Sequence, residues 1–85
     1  MERMTIKKLE SLVSHLNKVT NSPELPYISG AAQIGSFCLD EAYGGVGLNR
    51  ISNSGGGVTC IFTITTRREL YNQIRAYIDG FNLNN

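Results

Sequence analysis

The chain is 85 residues long, 41% hydrophobic and 18% charged, with 8 Lys+Arg against 7 Asp+Glu and a formal net charge of +1. That length holds one domain, and the composition is too apolar and too weakly charged for a disordered chain. The near-zero charge excludes both a strongly basic nucleic-acid module and an acidic nucleic-acid mimic, and no apolar run approaches the ~20 residues of a membrane span.

The opening Met1-Glu2-Arg3-Met4-Thr5-Ile6-Lys7-Lys8 has no apolar stretch behind its charges, so no secretory signal is expected. Ile6, Leu9, Leu12, Val13, Leu16 and Val19 then recur at three- and four-residue intervals, which predicts an amphipathic helix capped by Thr5. Asn21, Ser22 and Pro23 end it, since Asn tolerates the left-handed cap and proline cannot continue a helix. Lys7, Lys8, Glu10, Ser14, Asn17 and Lys18 fall on the expected wet side. His15 borders the stripe with no second ligand type beside it and reads as a solvated or capping side chain.

Residues 22–32 contain Pro23 and Pro26 and read as an extended crossing, pinned to the core by Leu25, Tyr27 and Ile28. Three strand-like runs follow, about 34–39, 46–52 and 58–65. The third alternates, with Val58, Cys60, Phe62 and Ile64 on the expected core face and Thr59, Ile61, Thr63 and Thr65 on the other. Short joints at 40–43 and 53–57 favour an antiparallel meander. Thr66-Arg67-Arg68-Glu69 matches a capping box and opens a second helix with Leu70, Ile74, Tyr77, Ile78 and Phe81 as its buried stripe. Gly80 is its expected C-cap, and Phe81 and Leu83 anchor a polar tail. The expected architecture is therefore a single two-layer α+β domain over 1–85: an N-terminal helix, a three-stranded antiparallel sheet and a C-terminal helix on one sheet face. The other sheet face, or an edge strand, offers a route to a homo-oligomer.

Cys38 and Cys60 fit no zinc or iron–sulfur spacing, and without an export signal both are expected to be reduced thiols of a cytoplasmic protein. Cys60 lies in the apolar series and is expected to be buried and inert. Cys38 lacks a basic neighbour that would hold a thiolate. Asp40 and Glu41 are adjacent in an expected turn, where two carboxylates rarely share a cleft. No catalytic set, metal or cofactor is expected.

The unusual segment is glycine-rich: Gly44, Gly45, Gly47, Gly55, Gly56 and Gly57 crowd into 44–57. Turn and bulge chemistry is one explanation. The other is a binding face, with bare main chain at Gly44, Gly45, Gly55, Gly56 and Gly57 ringed by Tyr43, Asn49, Arg50 and Asn53, and with Arg67 and Arg68 adding charge at the sheet end. If Val46 and Leu48 point into the core, Gly45, Gly47 and Asn49 line the opposite face. The segment is neither a P-loop nor a dinucleotide fingerprint, because no Gly-Lys-Ser/Thr follows Gly57 and a strand, not a helix, comes next.

Three runs carry a family resemblance: Ala42-Tyr43-Gly44-Gly45, then Asn53-x-Gly55-Gly56-Gly57-Val58, then Arg68-Glu69-Leu70-Tyr71-Asn72-x-Ile74-Arg75-Ala76-Tyr77-Ile78-x-Gly80. With the opening Thr5-Ile6-Lys7-Lys8-Leu9 and the Ser22-Pro23 crossing, the chain resembles a family of short proteins encoded by tailed bacteriophages and prophages. The resemblance implies a phage product acting in the host bacterial cytoplasm, with no catalytic residue to carry over. By analogy with other small phage proteins, and from the glycine-rich segment, the expected function is a non-enzymatic accessory protein that binds and inhibits or sequesters a host component, either a defence protein complex or a signalling nucleotide, through the glycine-rich strand and hairpin. The alternatives are a small nucleic-acid-binding protein using Lys7, Lys8, Lys18, Arg67, Arg68 and Arg75, or a virion or assembly component.

Overall fold

The computed structural model describes residues 3–83. Its elements run α1 (Ile6–Val19), β1 (Tyr27–Ile28), β2 (Ala31–Ala32), β3 (Phe37–Ala42), β4 (Gly45–Ile51), β5 (Val58–Thr65) and α2 (Arg67–Leu83). The strands β3-β4-β5 form an antiparallel meander, and the helices pack on one of its faces, so the fold is α+β. Between the layers lie Leu9, Leu12, Val13 and Leu16 of α1, Phe37, Val46 and Leu48 of the sheet, and Leu70, Ile74 and Ile78 of α2. Among the described residues, no helix is long and apolar enough to cross a membrane.

The helix signals act as expected at their starts. The Thr5 hydroxyl accepts from the Lys8 N–H at 3.2 Å, and the Thr66 hydroxyl accepts from the Glu69 N–H at 3.1 Å. Asn21 takes the left-handed conformation just past α1, with φ 57°. The end of α2 departs from expectation. The helix continues through Gly80 to Leu83, and Leu83 is 86% exposed and anchors nothing. A glycine stops a helix only where the chain needs positive φ, and Gly80 does not adopt it. Phe81 meets Tyr77 edge to face instead, at 5.3 Å between ring centres.

The crossing is not pinned by its apolar side chains: Leu25, Tyr27 and Ile28 are each more than half exposed. It folds back on itself as the β1–β2 hairpin, whose turn residues Ser29 and Gly30 both have positive φ, as a two-residue primed turn requires. The first strand of the meander begins at Phe37, three residues later than expected, and absorbs Asp40 and Glu41. Tyr43 and Gly44, at φ 53° and 75°, make the whole turn to β4. Asp40 and Glu41 are thus successive strand residues on opposite faces, which removes any shared acid site.

The alternation of β5 also departs from expectation. Val46 pairs with Thr65, Leu48 with Phe62 and Asn49 with Cys60, so the register slips twice, at two bulges. Each slip reverses the alternation of side chains. Phe62 packs on the core, but Cys60 emerges beside Asn49 on the face away from the helices and is exposed. Asn17, expected on the wet side of α1, is buried at 1% exposure, where its amide meets the main chain of Phe37.

Candidate functional site

The glycine-rich segment is spread along the length of β4. At one end Tyr43, Gly44, Gly45 and Arg67 border a hollow of about 350 Å³, together with Ile6 and Glu41. Ile6 and Arg67 are the first residues of their helices, so α1 and α2 start at this same end. Tyr43 is wholly exposed there. At the other end, about 20 Å away along seven strand residues, lie Arg50 and the loop of Asn53, Gly55, Gly56 and Gly57. Asn49 stands between them on the face away from the helices, flanked by Cys38 and Cys60 in the ladder. Two strand spacings, ~10 Å, separate the thiols, too far for a disulfide. Both are free. Arg68 is exposed in the first turn of α2 and is engaged in an interaction of its own. The structure therefore does not bring the expected residues into one surface.

Several of these residues have a local use. A β-carbon at Gly47 would sit 2.7 Å from the Phe62 carbonyl oxygen, and one at Gly45 would sit 2.7 Å from Ile64 Cγ2. The two glycines lie under Ile64, which the bulges turn to this face, and close approach of β5 requires them bare. The Asn53 side-chain oxygen accepts from the N–H groups of Gly55 and Gly57, at 3.0 Å each, and so organises its own loop. Arg50 turns to the helix side. Its Nε donates to the Gly35 carbonyl at 2.8 Å, Nη2 reaches Ser22 Oγ at 3.4 Å, and its carbon Cζ lies 4.6 Å from the centre of the Phe37 ring.

Burial pushes the Cys38 thiol up from its ordinary value, and the nearby Asp40 carboxylate adds to the rise. A raised thiol stays protonated at neutral pH and is a poor nucleophile. Among the described residues, no group of three His, Cys, Asp or Glu side chains is placed to hold a metal ion.

Among the described residues, another hollow lies between the two helices, lined by side chains that no sequence motif joins. It is an open groove of about 680 Å³ where Lys7, Lys8 and His15 of α1 face Tyr71 and Arg75 of α2, over a floor that includes Leu12. Its described lining contains no carboxylate. The signal was present but split: Lys7 and Lys8 begin one helix, Arg75 lies in the middle of another, and only the packing of α1 on α2 makes them neighbours. Basic side chains beside a half-buried aromatic ring can hold a phosphate and stack a planar base at once. Comparison with protein-family models, with curated proteins and with solved structures finds no match for this chain.

Proposed function

We propose that this chain is a non-enzymatic, phage-type accessory protein that works by stoichiometric capture, and that its ligand is a small phosphate-bearing nucleotide held in the groove between α1 and α2. The observation that carries this reading is the lining of that groove, where Lys7, Lys8, His15 and Arg75 gather around Tyr71 with no described carboxylate among them. Arg75 and the lysines supply charge for phosphate oxygens, and the Tyr71 ring supplies a face for the base. The raised Cys38 thiol and the separation of Asp40 from Glu41 favour binding over catalysis. Removing a signalling nucleotide from a host pathway needs only affinity and copy number.

Titration with a fluorescent ATP analogue at low salt tests the reading. Binding is expected to weaken as salt rises, because phosphate contacts are screened. It should fall by about tenfold or more, at unchanged melting temperature, in a Lys7→Glu, Arg75→Glu double variant, since each reversed charge repels the phosphate. Absence of binding, or binding that ignores the double variant, removes the proposal. Affinity that instead grows with the length of a single-stranded oligonucleotide would make nucleic acid the ligand.

A further inference from the structure

β3 is an edge strand, and it keeps an even six-residue register with β4, unlike the twice-bulged β5 at the opposite edge. Bulges blunt an edge against further pairing, and a regular edge is a template for another strand. Main-chain groups of successive residues point alternately to the two sides of a strand. Ser36 uses its carbonyl toward β4, accepting from the Ile51 N–H at 2.9 Å, so Phe37 points outward, and Leu39 and Glu41 do too. At Phe37 the outward pair is already matched. The Asn17 amide accepts from the Phe37 N–H at 2.8 Å and donates to the Phe37 carbonyl at 3.2 Å, as a neighbouring strand would. At Leu39 and Glu41 no such partner is found among the described residues.

The free edge borders a groove of about 390 Å³ whose other wall is α1. Its floor includes Ile6, Val13 and Leu39, and its lining carries Glu10, Glu24 and Glu41 but no Lys or Arg. Glu24 has company, with the Ser14 hydroxyl at 2.9 Å and Lys18 at 4.0 Å. For Glu10 and Glu41 no ion pair is found among the described residues. An unpaired edge, an apolar floor and a carboxylate rim together specify an occupant.

We propose that this groove docks an extended polypeptide segment of a partner protein, which adds a strand to β3 at Leu39 and Glu41. Its groove-facing positions carry an apolar residue over Val13 and Leu39, flanked by basic residues that meet Glu10 and Glu41. Main-chain pairing supplies affinity in such strand addition, and the alternate side chains supply selectivity. The surface is separate from the groove proposed for nucleotides, and either stands without the other.

The test is a residue-resolved NMR titration of the isotope-labelled chain with acetyl-Lys-Thr-Val-Thr-Lys-amide. The Leu39 and Glu41 amide signals are expected to move, while those of Tyr71 and Arg75 stay still. Methylating the peptide's alternate main-chain nitrogens should weaken binding by about tenfold, as loss of one or two net hydrogen bonds does. Glu41→Pro removes an outward N–H at an edge position where proline is tolerated, and should give a similar loss. Glu10→Lys, an exposed change that leaves the edge intact, should weaken the basic peptide and favour its Glu-Thr-Val-Thr-Glu counterpart. Equal binding of the methylated peptide, or shifts confined to other residues, would overturn the proposal. So would a dimer of this chain that Glu41→Pro dissolves without any peptide binding, since the occupant would then be a second copy.

Discussion

Asn17 and Phe37 are joined by two hydrogen bonds of opposite sense, one helix side chain answering both the N–H and the carbonyl of a strand residue. Asn17 also donates to the Glu24 carbonyl at 3.4 Å, so a single amide ties α1, the crossing and the start of β3 together. It lies at 1% exposure, where an unmet polar group has no water to turn to.

Asn17→Leu is therefore expected to destabilise the fold by about 2–4 kcal/mol, because it leaves two buried main-chain groups without partners. Asn17→Asp should fail to restore stability at neutral pH, since a carboxylate cannot donate to the Phe37 carbonyl. Urea unfolding reads both, with the midpoint falling at constant slope.

Arg50 is a structural side chain by the same reasoning. Arg50→Ala is expected to cost about 1–3 kcal/mol through the lost bond to Gly35 and the lost stacking on Phe37. Arg50→Lys should recover little of it, because an ammonium neither stacks as a plane nor reproduces the fork of donors. Thermal melts of the two variants decide the matter; unchanged melting in the alanine variant would show Arg50 to be dispensable for folding.

The glycines divide into two kinds. Gly47→Ala is expected to destabilise by about 1–3 kcal/mol, since its β-carbon would press on the Phe62 carbonyl and on main chain that cannot yield easily. Gly80→Ala should stabilise by about 0.5–1 kcal/mol, because the site is helical and nothing lies within 4 Å of the added atom. Opposite signs from one substitution type, measured by denaturant unfolding, are the expected signature.

The thiols should differ in reactivity. Cys60 is exposed and Cys38 is held protonated by burial and by Asp40, so a thiol reagent at neutral pH is expected to modify Cys60 first. The raised Cys38 value also sets a sign for stability. In the alkaline range the folded chain keeps the proton that the unfolded chain has lost, so stability is intact below the ordinary thiol value and declines as pH rises from there through the higher folded value. Cys38→Ser should flatten that alkaline decline in unfolding curves recorded across the range.

Features set by near neighbours in the chain were legible in the sequence. The Leu9–Leu16 stripe, the Thr5 and Thr66 caps, the inward Val46 and Leu48, and the bounds of β5 all follow from local periodicity. What escaped depends on pairing across the fold. Helical periodicity sorts residues by polarity, and so puts Asn17 in water; its burial is decided by Phe37, twenty positions away. Strand alternation assumes an unbroken register, and the β5 bulges break it between Phe62 and Cys60. Tyr43 is not a residue type that favours a left-handed turn, so local signals end the first meander strand at Leu39, whereas the fold carries it through to Ala42. The groove between the helices was invisible for the same reason: its basic residues come from both ends of the chain.

One helix walls both hollows. Lys7, Lys8 and His15 give α1 a cationic flank on the α2 side, and Glu10 gives it an anionic flank on the β3 side. Its core stripe of Leu9, Leu12, Val13 and Leu16 seats it against the sheet and α2, so the two flanks face apart and a charge reversal on one leaves the lining of the other intact.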